Sequence, residues 1–260
     1  MASETSPIDQ YELTRISIRL GQLLMQHGAE SMLIADLSRR MGRALGLQEV
    51  HVTLTANAIN VTSVQNQHCV TTVRYCRDHG IHMGVVTELQ HLVVMAEHKV
   101  LDAYSIRERL NKINPERYNR WLVLFMVGLS CAAFSMLAGG DWTVFAMTFV
   151  ATCCGMLVRQ ELGHRHFNPL LNFAATAFVT TAASAPALYF QLGNLPTVVM
   201  ASSVLMLVPG VPLINAASDM VKGYINVGLS RWTMASLLTL ATSIGIVMAI
   251  NLFNLWPLIP

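Results

Sequence analysis

The chain has 260 residues, of which 53% are hydrophobic and only 12% are charged, whereas soluble domains usually carry about 25% charged residues. This composition argues against an ordinary cytosolic enzyme and against intrinsic disorder, which requires low hydrophobicity and high charge. The formal net charge of +2 gives no basic surplus, so no nucleic-acid partner is expected.

Charged residues are concentrated in the first part of the chain. Residues 1–120 hold 13 Lys/Arg and 12 Asp/Glu, whereas residues 121–260 hold four and three. Because an ionised side chain in hydrocarbon is costly, the second part is predicted to lie in a membrane. We place the boundary near Asn114-Pro115, which predicts a cytoplasmic domain at 1–115 and a transmembrane domain at 116–260. The N-terminus lacks the apolar segment of a signal peptide, and the five cysteines are interpreted as free thiols.

Two helices are predicted at the start of the first domain. Apolar residues recur with helical spacing between residues 9 and 47. The segment 27–31, which we call the elbow, interrupts this pattern. Gly28 suits the position after a helix end, and Ser31 suits an N-cap.

The rest of the first domain predicts a small sheet followed by two more helices. Residues 49–76 alternate between apolar and polar side chains in three short runs rich in β-branched residues, which predicts three antiparallel strands. Helical spacing returns from Met83, and a final short helix is expected at about 105–113. The first domain is therefore predicted to be an α+β fold.

Five apolar segments in the second domain are long enough to cross a membrane, which needs about 20 residues. They predict an all-α transmembrane bundle of about five helices, with the second span the shortest. The segments are 121–138, 142–158, 170–190, 197–217 and 232–252.

The basic residues beside these spans predict the orientation. All fall on one side of a five-span bundle, and this side is expected to be cytoplasmic. The N-terminus would then be cytoplasmic and the C-terminus periplasmic, in a bacterial inner membrane. These residues are Arg117, Arg120, Arg159, Arg165, Lys222 and Arg231.

The fourth span carries the most informative segment. Pro209 and Pro212 flank Gly210 and must interrupt the helix, because proline has no N–H and clashes with the preceding turn. Many transporters present such half-helix ends to an anionic substrate. Asn215 and Asp219 share a face of the continuing helix, and Asp219 is a candidate proton-coupling group.

A structural alternative is a plain proline kink in which Asp219 and Lys222 form a local ion pair at the membrane surface. The functional interpretation adds Lys222, Gly223 and Arg231 to the predicted substrate or ion pathway.

No motif for catalysis or cofactor binding was found. The sequence contains no nucleotide-binding loop, nucleophile elbow or metalloprotease motif. The pair His79 and His82 has a spacing seen in metal sites, but a complete ligand set is missing. We therefore expect no enzyme activity, no cofactor and no metal.

Several motifs make the sequence resemble the threonine/serine exporter family, and within it the short, split members. The resemblance covers about residues 10–250, and the last motif is the most specific. His27, Gly28 and Glu30 belong to the first motif. The motifs are LMQHGAES at 24–31, HMGVVTE at 82–88, VGLSCA at 127–132, LVPG at 207–210 and DMVKGYINVGLSR at 219–231.

The resemblance implies an inner-membrane exporter subunit driven by an ion gradient. Family members with one long chain have two membrane domains and export threonine and serine, whereas this chain matches the first domain only. Split members are thought to work with a small multi-span membrane protein of the YjjB type, in a hetero-oligomer linked to succinate export. The resemblance therefore favours export of a small carboxylate over amino-acid export. A non-transporting scaffold or sensor is the remaining alternative.

Overall fold

The computed structural model describes residues 9–115 and 118–258. Arg117 and residues 1–8, which entered the predictions of orientation and targeting, lie outside this part. The chain divides into two compact units. The first contains the described residues of Met1–Glu116 together with Val211–Trp232, and the second those of Arg117–Gly210 together with Thr233–Pro260.

Ten helices and three strands are found in the described residues. They are α1 (Gln10–Gln26), α2 (Ser31–Ala44), β1 (Glu49–Leu54), β2 (Ala58–Gln65), β3 (His68–Tyr75), α3 (Met83–Glu97), α4 (Ala103–Lys112), α5 (Arg120–Leu137), α6 (Trp142–His164), α7 (Pro169–Tyr189), α8 (Pro196–Val204), α9 (Gly210–Val221) and α10 (Ile225–Leu252). A short 3₁₀ turn, Leu205–Leu207, follows α8, and another is at Trp256–Leu258.

The sheet of the first unit is antiparallel in the order β1-β2-β3, as predicted. Ile59, Val61 and Ser63 alternate along β2 and are buried, because successive side chains of a strand point to opposite faces. Asn66 and Gln67 both have positive φ angles, which suits the tight turn between β2 and β3. The buried face joins the main core with α1, α2, α3 and α4.

The second unit is built from apolar helices. Within residues 9–115 and 118–258, four helices are long and apolar enough to cross a membrane (α5, α6, α7 and α10). Helix α8, together with α9, most of which belongs to the first unit, would make a fifth span if the interrupted pair counts as one. The predicted helices are therefore present, with two corrections. Helix α6 has 23 residues and continues through Arg159 to His164, so the second span is not the shortest. Helix α10 begins at Ile225, so Arg231 lies within this helix and not in a loop.

Small residues line the buried side of α5. Gly128, Cys131, Ala132 and Ser135 are buried there. A Cβ atom on Gly128 would lie 2.8 Å from the sulfur of Cys153 on α6, so the two helices approach closely at this glycine. All five cysteines are free, as predicted.

Candidate functional site

The elbow is fixed by a glycine in the left-handed region. Gly28 has φ +80° and follows the C-cap residue His27. The N–H of Gly28 donates to the carbonyl of Met25 (3.3 Å), and that of Ala29 donates to the carbonyl of Leu24 (3.1 Å). This is a Schellman motif, which satisfies carbonyls that the helix end would otherwise leave free. The predicted role of Gly28 is therefore confirmed.

The end of α9 uses the same motif. Gly223 has φ +91°. Its N–H donates to the carbonyl of Met220 (3.2 Å), and the N–H of Tyr224 donates to the carbonyl of Asp219 (2.8 Å). The turn leads directly into α10, which begins at Ile225. Gly223 therefore joins the polar residues of α9 to the first turns of α10, where Arg231 lies.

The start of α9 is set by the two predicted prolines. The 3₁₀ turn ends at Leu207, and Val208 is extended, as expected for a residue before proline. Helix α9 then begins at Gly210. Pro212 lies in its first turn, where a missing N–H costs nothing because those donors have no partner inside the helix. The predicted helix interruption at Pro209 is confirmed.

Asp219 lies at the centre of a buried polar cluster. One carboxylate oxygen accepts a hydrogen bond from the N–H of Ser31 (2.9 Å), and the other accepts one from the hydroxyl of Ser31 (2.8 Å). The second oxygen also lies 2.9 Å from Nη1 of Arg231. Asp219 has no exposed surface. An ionised carboxylate at this depth requires such partners, because burying an unpaired charge is expensive.

The bond from Ser31 corrects one prediction. Ser31 is not the N-cap of α2 but its first residue, and Glu30 occupies the N-cap position without making a side-chain cap. Instead of a side chain at the N-cap position, the carboxylate of Asp219 accepts the hydrogen bond from the first N–H of α2. A negative charge is favourable there because the N-terminus of a helix carries partial positive charge. Asp219, which is distant in sequence, therefore caps the N-terminus of α2.

A second ion pair connects the elbow with the end of α9. The ammonium of Lys222 donates to the carboxylate of Glu30, and the hydroxyl of Ser218 donates to the same carboxylate oxygen (3.1 Å). The bond from Lys222 holds the pKa of Glu30 below its usual value. The alternative in which Asp219 pairs with Lys222 is therefore wrong, because Asp219 pairs with Arg231.

Two further bonds reach the backbone of the elbow. The side-chain amide of Asn215 donates to the carbonyl of Gly28 (2.9 Å), and Nη2 of Arg231 donates to the carbonyl of Ala29 (2.9 Å). Arg231 therefore binds both Asp219 and the elbow. The structure brings together the predicted residues of α9 and α10 with those of the first motif. We call this set, Gly28–Ser31 with Asn215, Ser218, Asp219, Lys222 and Arg231, the elbow cluster.

His27 lies beside the cluster with its ring buried. Its Nδ1 lies 2.8 Å from the carbonyl of Leu23, and its Nε2 has no hydrogen-bond partner in the described part of the chain. The rings of His79 and His82 lie 5.8 Å and 6.4 Å from it. Burial lowers the pKa of His27. In the described ranges, no group of three or more His, Cys, Asp or Glu has an arrangement that could hold a metal ion.

Arg159 is not in the predicted loop. It was assigned to a loop, but it lies in α6. Its Nη1 donates to the carbonyl of Met206 (2.8 Å), in the 3₁₀ turn before the helix interruption. Its guanidinium also lies over the ring of Phe173, 5.0 Å from the centroid. No carboxylate of residues 9–115 or 118–258 lies within ion-pair distance of it. An unpaired cation in a candidate span is a candidate functional group.

A cavity of about 280 Å³ lies beside the same interruption. Its wall is mostly apolar and includes Leu207 and Pro209, and three hydroxyl residues of α10 also line it, namely Thr239, Thr242 and Ser243. Each hydroxyl donates to a carbonyl of its own helix. Their oxygens can therefore still accept hydrogen bonds. Of the predicted pathway residues, Pro209 lines this cavity, and the side chains of Asn215, Asp219, Lys222 and Arg231 belong to the elbow cluster.

Comparison with known proteins identifies the family. The ThrE family model, with the description "Putative threonine/serine exporter", matches residues 15–253. The chain belongs to the threonine/serine exporter family. It is therefore a membrane protein of a transporter family, and the family indicates a transport role rather than catalysis. No solved structure gives a significant match.

The relatives fall into two groups. The chain is 50% identical over 249 residues to "Probable succinate transporter subunit YjjP" of Escherichia coli K12, which covers 95% of this chain and 96% of the relative. A protein with the same name from Klebsiella aerogenes is also 50% identical, over 95% of this chain and 96% of that one. "Probable threonine/serine exporter" of Mycobacterium tuberculosis is 23% identical over 91% of this chain and 45% of its own length.

Proposed function

We propose that this chain is a subunit of an exporter of small dicarboxylates, with succinate as the first candidate substrate. The observation that carries the proposal is the 50% identity, over 95% of the chain, to two relatives named as succinate transporter subunits. A dicarboxylate needs cationic groups along its path, because a carboxylate in a low-dielectric environment must be paired. Arg159, next to the interrupted helix, would supply one.

The proposal includes a second membrane protein. The word "subunit" in the names of both relatives implies a partner. The match to the mycobacterial exporter covers 45% of the length of that protein. A small multi-span membrane protein of the YjjB type is the partner that we propose.

The proposed location is the bacterial inner membrane. The first 115 residues would form the cytoplasmic domain, and residues 116–260 would form the transmembrane domain, with the C-terminus in the periplasm. Support comes from the basic residues beside the spans, since positively charged loops stay in the cytoplasm. Among the described residues, Lys and Arg are absent from 138–141 and 190–195, which would face the periplasm.

We assign two roles to the site residues. Pro209, Gly210 and Pro212 keep α8 and α9 as separate helices and leave the carbonyl of Met206 to Arg159. Asp219, with its partners in the elbow cluster, would connect movement of α9 to the α+β elements. Protonation of Asp219 would weaken both its ion pair with Arg231 and its bonds to Ser31, which makes this residue the proposed proton-coupling group.

Export of threonine and serine is the second candidate. The description of the matching family supports it, as does the name of the mycobacterial relative. An amino acid carries one carboxylate and one ammonium group, so it would need an anionic contact in addition to a cationic one. The two candidates therefore differ in the charge that the path must accept.

The test is export from cells that lack this chain. Extracellular succinate, threonine and serine would be measured in the deletion strain and after complementation, with and without the partner. We expect succinate export to fall and to be restored only when both chains are present. Loss of threonine and serine export alone would favour the second candidate. Unchanged export of all three metabolites would refute a transport role.

Arg159 provides a sharper test within the same assay. Arg159→Gln should reduce succinate export at equal protein level, because the change removes the cation. The matched control is Arg165→Gln, since Arg165 is exposed and, among the described residues, its ion-pair partner is Glu161, four residues earlier in the chain. Equal export by both variants would remove Arg159 from the path.

A further inference from the structure

A polar groove lies in the first unit, and none of its lining residues belongs to the elbow cluster. It has a volume of about 250 Å³ and is bounded by α1, β3 and α4. Four arginines and one glutamate line it, so three positive charges are not balanced by the residues of its wall. The lining residues are Glu12, Arg15, Ile16, Arg19, Gln22, Arg74, Arg107, Leu110 and Asn111. We call it the arginine groove.

The single glutamate of the groove is already shared by two arginines. Nη1 of Arg15 lies 3.1 Å from one carboxylate oxygen of Glu12, and Nη1 of Arg107 lies 3.1 Å from the other. Within the part of the chain that the structure describes, no carboxylate lies within ion-pair distance of Arg19 or Arg74. Two of the four guanidinium groups are therefore left without an anionic partner.

The two unpaired arginines line the same groove. Burial and, to a smaller extent, the positive charge of Arg74 lower the pKa of Arg19, as expected for two like charges that share one groove. Arg19 is oriented by a hydrogen bond to the side-chain oxygen of Gln22 (2.9 Å), and the amide of Gln22 donates to the carbonyl of Tyr75 (2.8 Å). This chain of bonds holds Arg19 in the groove that Arg74 also lines. A bound anion would relieve their repulsion.

Solubility alone does not require four arginines around one groove. Exposed arginines normally point away from each other or alternate with acidic residues. Here α1 contributes Glu12, Arg15 and Arg19 at helical spacing to one face, and a strand and a second helix each add an arginine. Guanidinium groups bind carboxylates and phosphates through paired hydrogen bonds.

We propose that the arginine groove binds a small metabolite with at least two negative charges, with Arg19 and Arg74 as its principal contacts. The volume is slightly below the range of about 300–1,000 Å³ of most small-molecule sites, so a compound of a few carbon atoms fits. A dicarboxylate and a phosphate ester share the required chemistry. The α+β elements would then act as a metabolite sensor, and this role does not depend on which substrate is exported.

The test uses the purified full chain in detergent and isothermal titration calorimetry. Succinate, citrate and inorganic phosphate are the probes, and acetate is the monoanionic control. We expect saturable binding of at least one polyanion and none of acetate. The preferred probe distinguishes a carboxylate ligand from a phosphate ligand. Absence of binding by all three polyanions, or equal binding of acetate, would overturn the proposal.

Variants locate the site. Combined replacement of Arg19→Gln and Arg74→Gln should weaken binding about ten-fold or more, because hydrogen bonds to charged groups are the strong ones. The matched control removes two charges from α2, at Arg39→Gln and Arg43→Gln, neither of which lines the groove. Arg74→Gln alone changes an exposed residue and tests the site if the double variant does not fold. Equal loss in the control pair would refute a specific site.

Discussion

Replacement of Asp219 by asparagine tests whether the Asp219 carboxylate stabilises the elbow cluster. The carboxylate accepts two hydrogen bonds from Ser31 and forms an ion pair with Arg231. Asparagine has almost the same shape but only one acceptor oxygen, so its NH₂ group must face either the N–H of Ser31 or the hydroxyl of Ser31 together with the guanidinium of Arg231. Arg231 then keeps its charge in a site where its side chain is only 19% exposed.

The expected cost is large for a single substitution. Removal of one partner from a buried ion pair typically costs about 3–5 kcal/mol, because the other charge stays buried without compensation. The lost bonds to Ser31 are charge-assisted and are worth about 1.5–3 kcal/mol each. These contributions overlap, since they belong to one network. We therefore expect a total loss of about 3–5 kcal/mol from the stability of the elbow cluster.

Hydrogen exchange of the elbow measures this loss directly. The N–H of Ser31 is protected by Asp219, so Asp219→Asn should increase exchange at the start of α2 by about 100-fold or more. The matched control is Asp36→Asn, whose carboxylate is 50% exposed and lies 3.5 Å from Arg40 on the same helix. Exposed pairs contribute about 0–1 kcal/mol, so this control should change little. Unchanged exchange at Ser31 in Asp219→Asn would refute the network as described.

Three further predictions concern neighbouring residues. Burial lowers the pKa of His27, so below about pH 6.5 the unfolded chain binds a proton at this residue more readily than the folded chain does. The thermal unfolding temperature should therefore fall as the pH drops below about 6.5. This fall should be smaller in His27→Gln. Lys222→Gln should lower the free energy of unfolding by only about 0–1 kcal/mol at neutral pH, since the ion pair of Lys222 with Glu30 is partly exposed. A larger decrease in stability, measured by thermal unfolding, would contradict this prediction. Combined replacement of Pro209→Ala and Pro212→Ala should let the helix continue across the interruption and impair export at normal protein level, because no proline then breaks the helical hydrogen bonds. Full export by this variant would mean that the interruption serves packing alone.

Local patterns predicted most of the elements, because periodicity depends on neighbouring residues. Alternation along 49–76 predicted the three strands, and the proline pair predicted the interruption before Gly210. The helix ends were harder to place. Polar residues at the end of a span were interpreted as loops, but a helical backbone continues through Arg159 and Arg231, because its hydrogen bonds do not depend on side-chain polarity.

The elbow cluster could not be predicted from either motif alone. Ser31 and Asp219 are 188 positions apart in the sequence, and local pattern carries no information about such a contact. Both motifs were recognised separately, and the shared face of Asn215 and Asp219 was predicted. The sequence did not indicate which residues this face of α9 contacts. The opposite charges of Glu30 and Lys222 were the one hint that the two motifs meet.

We propose that this chain exports a small carboxylate through machinery that includes the elbow cluster. The most direct measurement is efflux of labelled succinate from proteoliposomes that contain the chain and its membrane partner, with wild type compared to Asp219→Asn at equal incorporation. We expect gradient-dependent efflux by the wild-type pair, none by either chain alone, and loss of efflux in the variant. Wild-type efflux by Asp219→Asn, or no efflux by the intact pair, would contradict it.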